Sequence, residues 1–143
     1  MMSIGELRSL LARYGVRPSK AKGQSYLIDR RVAEREAEYL GIAPGDRVLE
    51  VGPGFGTLTR ALLDRTDMVT AIELEEGAVR YLRETFPRLE VIQGDFLAID
   101  VPRFDLFISN VPYSISSPLL FRLLEMDFRR AVLMVQREFA ERM

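Results

Sequence analysis

Val48-Leu49-Glu50-Val51-Gly52-Pro53-Gly54-Phe55-Gly56-Thr57-Leu58-Thr59 reads as a short apolar strand, a glycine-rich turn and the opening of a helix. Glycines in such a turn take positive φ and let the backbone come close to a ligand. A purely structural turn is the competing reading, but a strand before it and a helix after it favour a nucleotide-like ligand. The dinucleotide fingerprint wants glycine or alanine three positions beyond its second glycine. Thr57 stands there, so the spacing argues against a nicotinamide or flavin enzyme.

On either side of this turn the chain alternates between apolar runs and helical periodicity. Further strands are predicted at 68–74, 89–93, 104–109 and 131–135, and helices at 57–63, 75–86 and 118–124, the last with Ser117 as N-cap and Pro118 at the first helical position. Strand followed by helix, repeated, means parallel pairing and an open α/β sheet with helices on both faces. Ligands of such sheets sit at the carboxyl ends of the strands. The predicted 131–135 strand would form an apolar edge, and a further amphipathic helix starts near residue 138, so the chain is expected to be the N-terminal part of a longer protein.

The other strand ends carry acceptors. Glu73 closes the second strand, where a carboxylate can take both hydroxyls of a ribose, and Gln93-Gly94-Asp95 follows the third, offering Asp95 to an adenine amine. Each acid alone would pass as a helix cap or a solvated charge; beside the glycine turn, the two describe a socket for an adenosine moiety. Asn110-Val111-Pro112-Tyr113 comes directly after the predicted fourth strand. An exocyclic adenine amine is a poor nucleophile, because its lone pair is delocalised into the ring. The Asn110 side-chain oxygen and the Val111 carbonyl can accept its two N–H groups and favour a lone pair directed at an electrophile, while Pro112 stiffens the turn and Tyr113 stacks on the base. A plain Asn-x-Pro turn with a half-buried tyrosine is the alternative.

Composition narrows the chemistry further. The 143 residues contain no Cys and no His, which removes disulfides, Cys/His zinc sites, thiol nucleophiles and every triad with an imidazole base; no metal site is expected. No apolar run approaches the roughly 20 residues of a membrane span. A cytoplasmic location and no membrane partner are expected. Net charge is −1, yet residues 8–31 hold Arg8, Arg13, Arg17, Lys20, Lys22, Arg30 and Arg31 against Asp29 alone. Such a block is either a solvated face or a contact for a polyanion such as nucleic acid. Ahead of and within it, Ile4, Leu7, Leu10, Leu11 and Tyr14 predict a short amphipathic helix stopped by Gly15, and Asp29 and Gly41 bracket a second helix at 30–40.

Five stretches in order carry a resemblance: Lys22-Gly23-Gln24-Ser25-Tyr26-Leu27-Ile28-Asp29; Glu50 to Thr59; Gly94-Asp95; Asn110-Val111-Pro112-Tyr113-Ser114-Ile115-Ser116-Ser117-Pro118-Leu119-Leu120; and Met134-Val135-Gln136-Arg137-Glu138-Phe139-Ala140-Glu141-Arg142. From about Val16 onward the chain resembles the KsgA-type ribosomal RNA adenine N6-dimethyltransferases. Asn-x-Pro-Tyr alone would also admit DNA adenine or protein glutamine methyltransferases; the other stretches narrow the choice. The resemblance implies a Rossmann-like class I S-adenosylmethionine-dependent methyltransferase fold, with sheet order 3-2-1-4-5 and the final strands beyond the end of this chain. It implies a basic N-terminal helix and arm at 1–31 and a methyltransferase domain at 32–143, without the family's helical C-terminal domain.

By the same resemblance S-adenosylmethionine is the cofactor. Ser25 and Leu27 flank it, Gly52 in the Gly52–Gly54 turn lies against its methionine part, Glu73 takes the ribose hydroxyls, Asp95 the adenine amine, and Asn110 lies between cofactor and target base. Arg17, Lys20 and Lys22 of the arm would contact RNA phosphates. The implied activity is dimethylation of two adjacent adenosines near the 3′ end of small-subunit rRNA, on the assembling small subunit, by a monomer. Where the family has Asn-Phe this chain has Ser25-Tyr26, which removes a side-chain amide and leaves the backbone to make that contact. Two other classes share these features: an RNA-binding assembly factor without catalysis, and an enzyme of the same fold acting on another adenine or on an amide.

Overall fold

A computed structural model describes residues 2–17, 29–111 and 115–135. In chain order the elements are α1 (Ile4–Arg13), α2 (Arg30–Leu40), β1 (Val48–Val51), α3 (Thr57–Leu63), β2 (Val69–Glu73), α4 (Glu76–Thr85), β3 (Glu90–Gln93), β4 (Leu106–Asn110), α5 (Ser116–Leu124) and β5 (Arg130–Met134). The strands form one sheet in the order β3-β2-β1-β4-β5, and every neighbouring pair is parallel. β1 lies at the centre and is buried at all of its positions, as a strand covered on both faces must be.

Alternate residues of the strands feed two cores. On one face Val48, Val69, Ala71, Leu106 and Ile108 meet α2, α3 and α4 through Ala33, Ala37, Leu40, Leu58, Leu62 and Leu82. On the other, Leu49, Val51, Ile72 and Phe107 meet Phe96, Phe104 and the α5 residues Leu119 and Leu123. Local chemistry sets the helix ends. The Ser3 hydroxyl accepts the Glu6 N–H at 3.0 Å, and the Asp29 carboxylate accepts the Arg31 N–H at 2.9 Å. Gly41, in the left-handed region, closes α2 as predicted.

Several boundaries lie one residue from the sequence expectation, and two elements, α5 and β4, start two residues away from it. α5 begins at Ser116 rather than Pro118, and Ser117 is not its cap: the cap position is Ile115, with no side-chain bond. Pro118 is therefore the third helical residue, a position whose N–H has no acceptor within the helix, so proline is as acceptable there as at the first. The fourth strand begins at Leu106 and includes Asn110, which pairs with Met134 of β5 instead of following the strand. Its start is set by Arg47, whose carbonyl accepts the N–H groups of Asp105 and Leu106 while its own N–H donates to the Asp105 carboxylate at 2.8 Å. Phe104 is thereby left to pack beside Phe107 and Phe128. β5 pairs with β4 on one side, and no strand lies on its other side among the described residues. The helix expected near residue 138 lies outside the described residues.

Candidate functional site

Strand register brings the predicted residues together. Val51 pairs with Ile72 and with Ser109, and Glu73 with Gln93, so the next row of the ladder contains Gly52, Glu73, Gln93 and Asn110, all at the carboxyl end of the sheet. Adjacent strands are about 4.8 Å apart, which separates Glu73 from Asn110 by about 10 Å across β1. The turn between β1 and α3 carries Gly52, Gly54 and Gly56 at φ of 74°, 57° and 83°, a backbone that other residues rarely adopt.

Glu73 is tied to this turn. One carboxylate oxygen accepts the Gly54 N–H and the other accepts the Glu75 N–H, both at 2.9 Å. Burial pushes its pKa up, and the backbone donors pull the other way. A carboxylate offers about four lone-pair sites. Two backbone donors leave room for a vicinal diol. Asp95 is exposed beyond β3; one of its oxygens accepts the Leu97 N–H at 2.9 Å, and the preceding Gly94 N–H donates to the Glu73 carbonyl at 3.0 Å.

Asn110 supplies the least satisfied atom of this edge. Its Oδ1 is buried and accepts no hydrogen bond among the described residues. Both neighbours are fixed: the Ser109 hydroxyl donates to the Val51 carbonyl at 2.7 Å, and the Val111 N–H donates to the Met134 carbonyl at 2.8 Å. A buried acceptor without a donor costs free energy unless a ligand provides one. On the β1 side, a methyl group built on Gly52 would meet nothing within 4 Å. The site thus has open space over the turn, a carboxyl acceptor on one side of it and an unused amide oxygen on the other, which fits an adenosine-bearing cofactor.

Arg17, exposed, follows Val16, which packs against Gly77 in the first turn of α4, beside the same strand end. Ser25, Leu27, Lys20, Lys22, Pro112 and Tyr113 lie outside the described residues. A cleft of about 360 Å³ opens at the opposite end of the sheet, between Arg47, Met68, Arg88 and Phe104. Its Arg88 is already paired with Asp67, and it is remote from the acceptor row.

Behind the turn stands a group to which the sequence reading gave no role. Glu50 of β1 is fully enclosed, its carboxyl accepts the Thr59 hydroxyl at 2.5 Å, and burial pushes it up to about 8. Glu36 of α2 is 5% exposed, neither of its carboxyl oxygens has a partner among the described residues, and burial pushes it up to about 7. The signal was present: Ala33, Glu36, Ala37 and Leu40 share one helical face.

The model of the family described as ribosomal RNA adenine dimethylase matches residues 17–143. The chain belongs to the ribosomal RNA adenine dimethylase family. A probable ribosomal RNA small subunit methyltransferase A of Methanothermobacter thermautotrophicus is 49% identical over 140 residues, which cover 96% of this chain and 51% of that protein. Among solved structures, a dimethyladenosine transferase from Plasmodium falciparum superimposes with a TM-score of 0.74 at 38% identity, covering 82% of this chain and 46% of the other. The 23S rRNA methyltransferase ErmE gives 0.74 at 36% identity, covering 82% and 50%. The chain therefore spans about half the length of the curated relatives it matches, and its fold is the Rossmann-like class I methyltransferase fold of this family.

Proposed function

We propose that this chain is the cofactor-binding portion of an S-adenosylmethionine-dependent rRNA adenine N6-dimethyltransferase. Its substrate is two adjacent adenosines near the 3′ end of small-subunit rRNA, methylated during maturation of the small subunit by a cytoplasmic monomer. The observation that carries this reading is the unpartnered, buried Oδ1 of Asn110, held in one register row with Gly52 and Glu73.

Glu73 holds the ribose hydroxyls, Asp95 the adenine amine, and the backbone at Gly52 and Gly54 lies along the methionine part, with Ser25 and Leu27 flanking it. When bound, S-adenosylmethionine supplies a methyl group on a positively charged sulfur. Asn110 Oδ1 and the Val111 carbonyl accept the two N–H groups of the target amine, which localises its lone pair and fixes its approach; most of the rate comes from this positioning. Pro112 and Tyr113, next in sequence, stiffen the turn and stack on the base. The target adenine must leave its helix to reach the site. Arg17, Lys20 and Lys22 neutralise phosphates, so RNA affinity falls with added salt. No helix among the described residues is long and apolar enough to cross a membrane.

Calorimetric titration of the chain with S-adenosylmethionine tests the socket: saturable binding, abolished in Glu73→Ala, is expected, and a folded chain that binds nothing would refute it. The likeness to the 23S rRNA methyltransferase ErmE favours one second reading, an adenine of the large subunit. Presenting both assembling subunits, with tritiated cofactor, to the chain lengthened to the size of its relatives separates the two.

A further inference from the structure

The turn that meets the ligand carries three glycines at positive φ, residues with little conformational preference of their own. Pro53 and the Gly56 N–H bond to its carbonyl restrain the turn from within, and contacts from outside restrain it further. Phe55 reaches out of the turn to make them. It is buried in a small core separate from the two on the sheet faces, with Leu11, Tyr14 and Val16 from α1 and the segment after it. Its ring centroid lies 5.2 Å from that of Tyr81 and 6.4 Å from that of Tyr14, and those two tyrosines meet edge to face at 5.4 Å.

Tyr14 is in turn fixed to α4 from several directions. Its hydroxyl donates to a Glu84 carboxylate oxygen at 2.7 Å, its carbonyl accepts from the Arg80 guanidinium at 3.2 Å, and that guanidinium lies 5.5 Å from its ring centroid. The fit is close: a methyl group on Gly77 would come within 2.0 Å of the Tyr14 carbonyl oxygen. α4 follows β2, whose last residue is Glu73, and Glu73 accepts the Gly54 N–H. The contacts therefore close a ring running from the turn to Glu73, along the chain to α4, across to Tyr14 and back to Phe55.

We infer that Tyr14 and Phe55 are positioning residues: α1 and the Tyr14 segment clamp the glycine turn from behind and so set its affinity for the cofactor, without touching it. The inference rests on the cofactor reading proposed above. Loosening the clamp reduces the fraction of molecules whose turn is competent to bind, and apparent affinity falls by that fraction.

The test compares Tyr14→Ala and Tyr14→Phe with Leu123→Ala, a cavity on the opposite face of the sheet, in the full chain. Amide hydrogen exchange is measured at Gly54 and Gly56, whose N–H groups are bonded to Glu73 and Pro53, and S-adenosylmethionine is titrated into each variant. Tyr14→Ala is expected to speed exchange at the turn and weaken the cofactor by about tenfold. Tyr14→Phe, which keeps the ring and loses only the bond to Glu84, should restore most of both. Leu123→Ala should lower the melting temperature and leave both readouts near wild type. If Tyr14→Ala does not fold, Tyr14→Leu takes its place. Turn exchange unchanged by Tyr14 variants, or changed equally by Leu123→Ala, overturns the clamp. Wild-type chain that binds no cofactor overturns the cofactor reading, while the exchange data still decide the clamp on their own.

Discussion

Two glutamates on adjacent central strands are both buried, yet they stand in opposite chemical situations. Glu73 ends β2 and receives two backbone N–H groups; Glu50, inside β1, receives one hydroxyl and faces the neighbouring Glu36 carboxyl. Both pKa values are raised by burial, but only at Glu73 do backbone donors oppose the shift. Fixed backbone N–H groups at a strand end stabilise a carboxylate that can accept from a ligand. Enclosure beneath a turn produces a carboxyl that keeps its proton to about pH 8. Position along the strand, not residue type, decides which role a glutamate plays.

The largest effect that would sharpen this contrast is Glu73→Ala, expected to weaken S-adenosylmethionine by 100-fold or more, since two charge-assisted bonds to the ligand are lost. Glu50→Gln, measured in the same calorimeter, should change affinity less than threefold. A loss equal to that of Glu73→Ala would erase the distinction. Asn110→Ala should keep cofactor affinity within about threefold of wild type and reduce methyl transfer by the lengthened protein more than 100-fold in a tritium assay, because it removes an acceptor for the target amine only.

Smaller, and confined to stability, is the effect at Glu36. Its carboxyl is raised from 4.5 to about 7, so the native state holds a proton that the unfolded chain releases, and the contribution of Glu36 to stability falls as pH rises from about 4.5 through about 7 and then levels off. Glu36→Met, similar in volume and without a polar group to bury, should flatten this dependence and stabilise the protein by roughly 2 kcal/mol at pH 8, with little change at pH 4. Thermal melts across that range check it. Pro118→Ala should shift the melting temperature by no more than a degree or two, because the first turn needs no N–H at that residue.

The placement of the candidate residues could be read from the sequence because chain direction alone dictates it: a parallel α/β alternation puts every carboxyl-terminal strand end on one edge, so Gly52, Glu73 and Asn110 share a row, with Asp95 two residues beyond the end of β3, without any side-chain contact being known. The caps Asp29 and Gly41 were legible for the same local reason. The start of α5 was not, since proline is equally tolerated at several first-turn positions. The clamp on Phe55 was illegible because it joins residues about forty positions apart, and nothing in the local pattern of either segment announces the other. Glu36 was visible as a charge on an apolar face, but Glu50 becomes its neighbour only when α2 packs against α3 and over β4 and β5.

The shared register row has a consequence for how such a site can change. Its acceptors are spaced by whole strands, so the distance from Glu73 to Asn110 is fixed by backbone hydrogen bonding and can be altered only in steps that would also turn side chains to the wrong face. Loops beyond the row are free to vary in length and composition without disturbing that spacing. The fold thus behaves as a ruler of fixed gradations: the strand ends keep their spacing while the loops beyond them are exchanged.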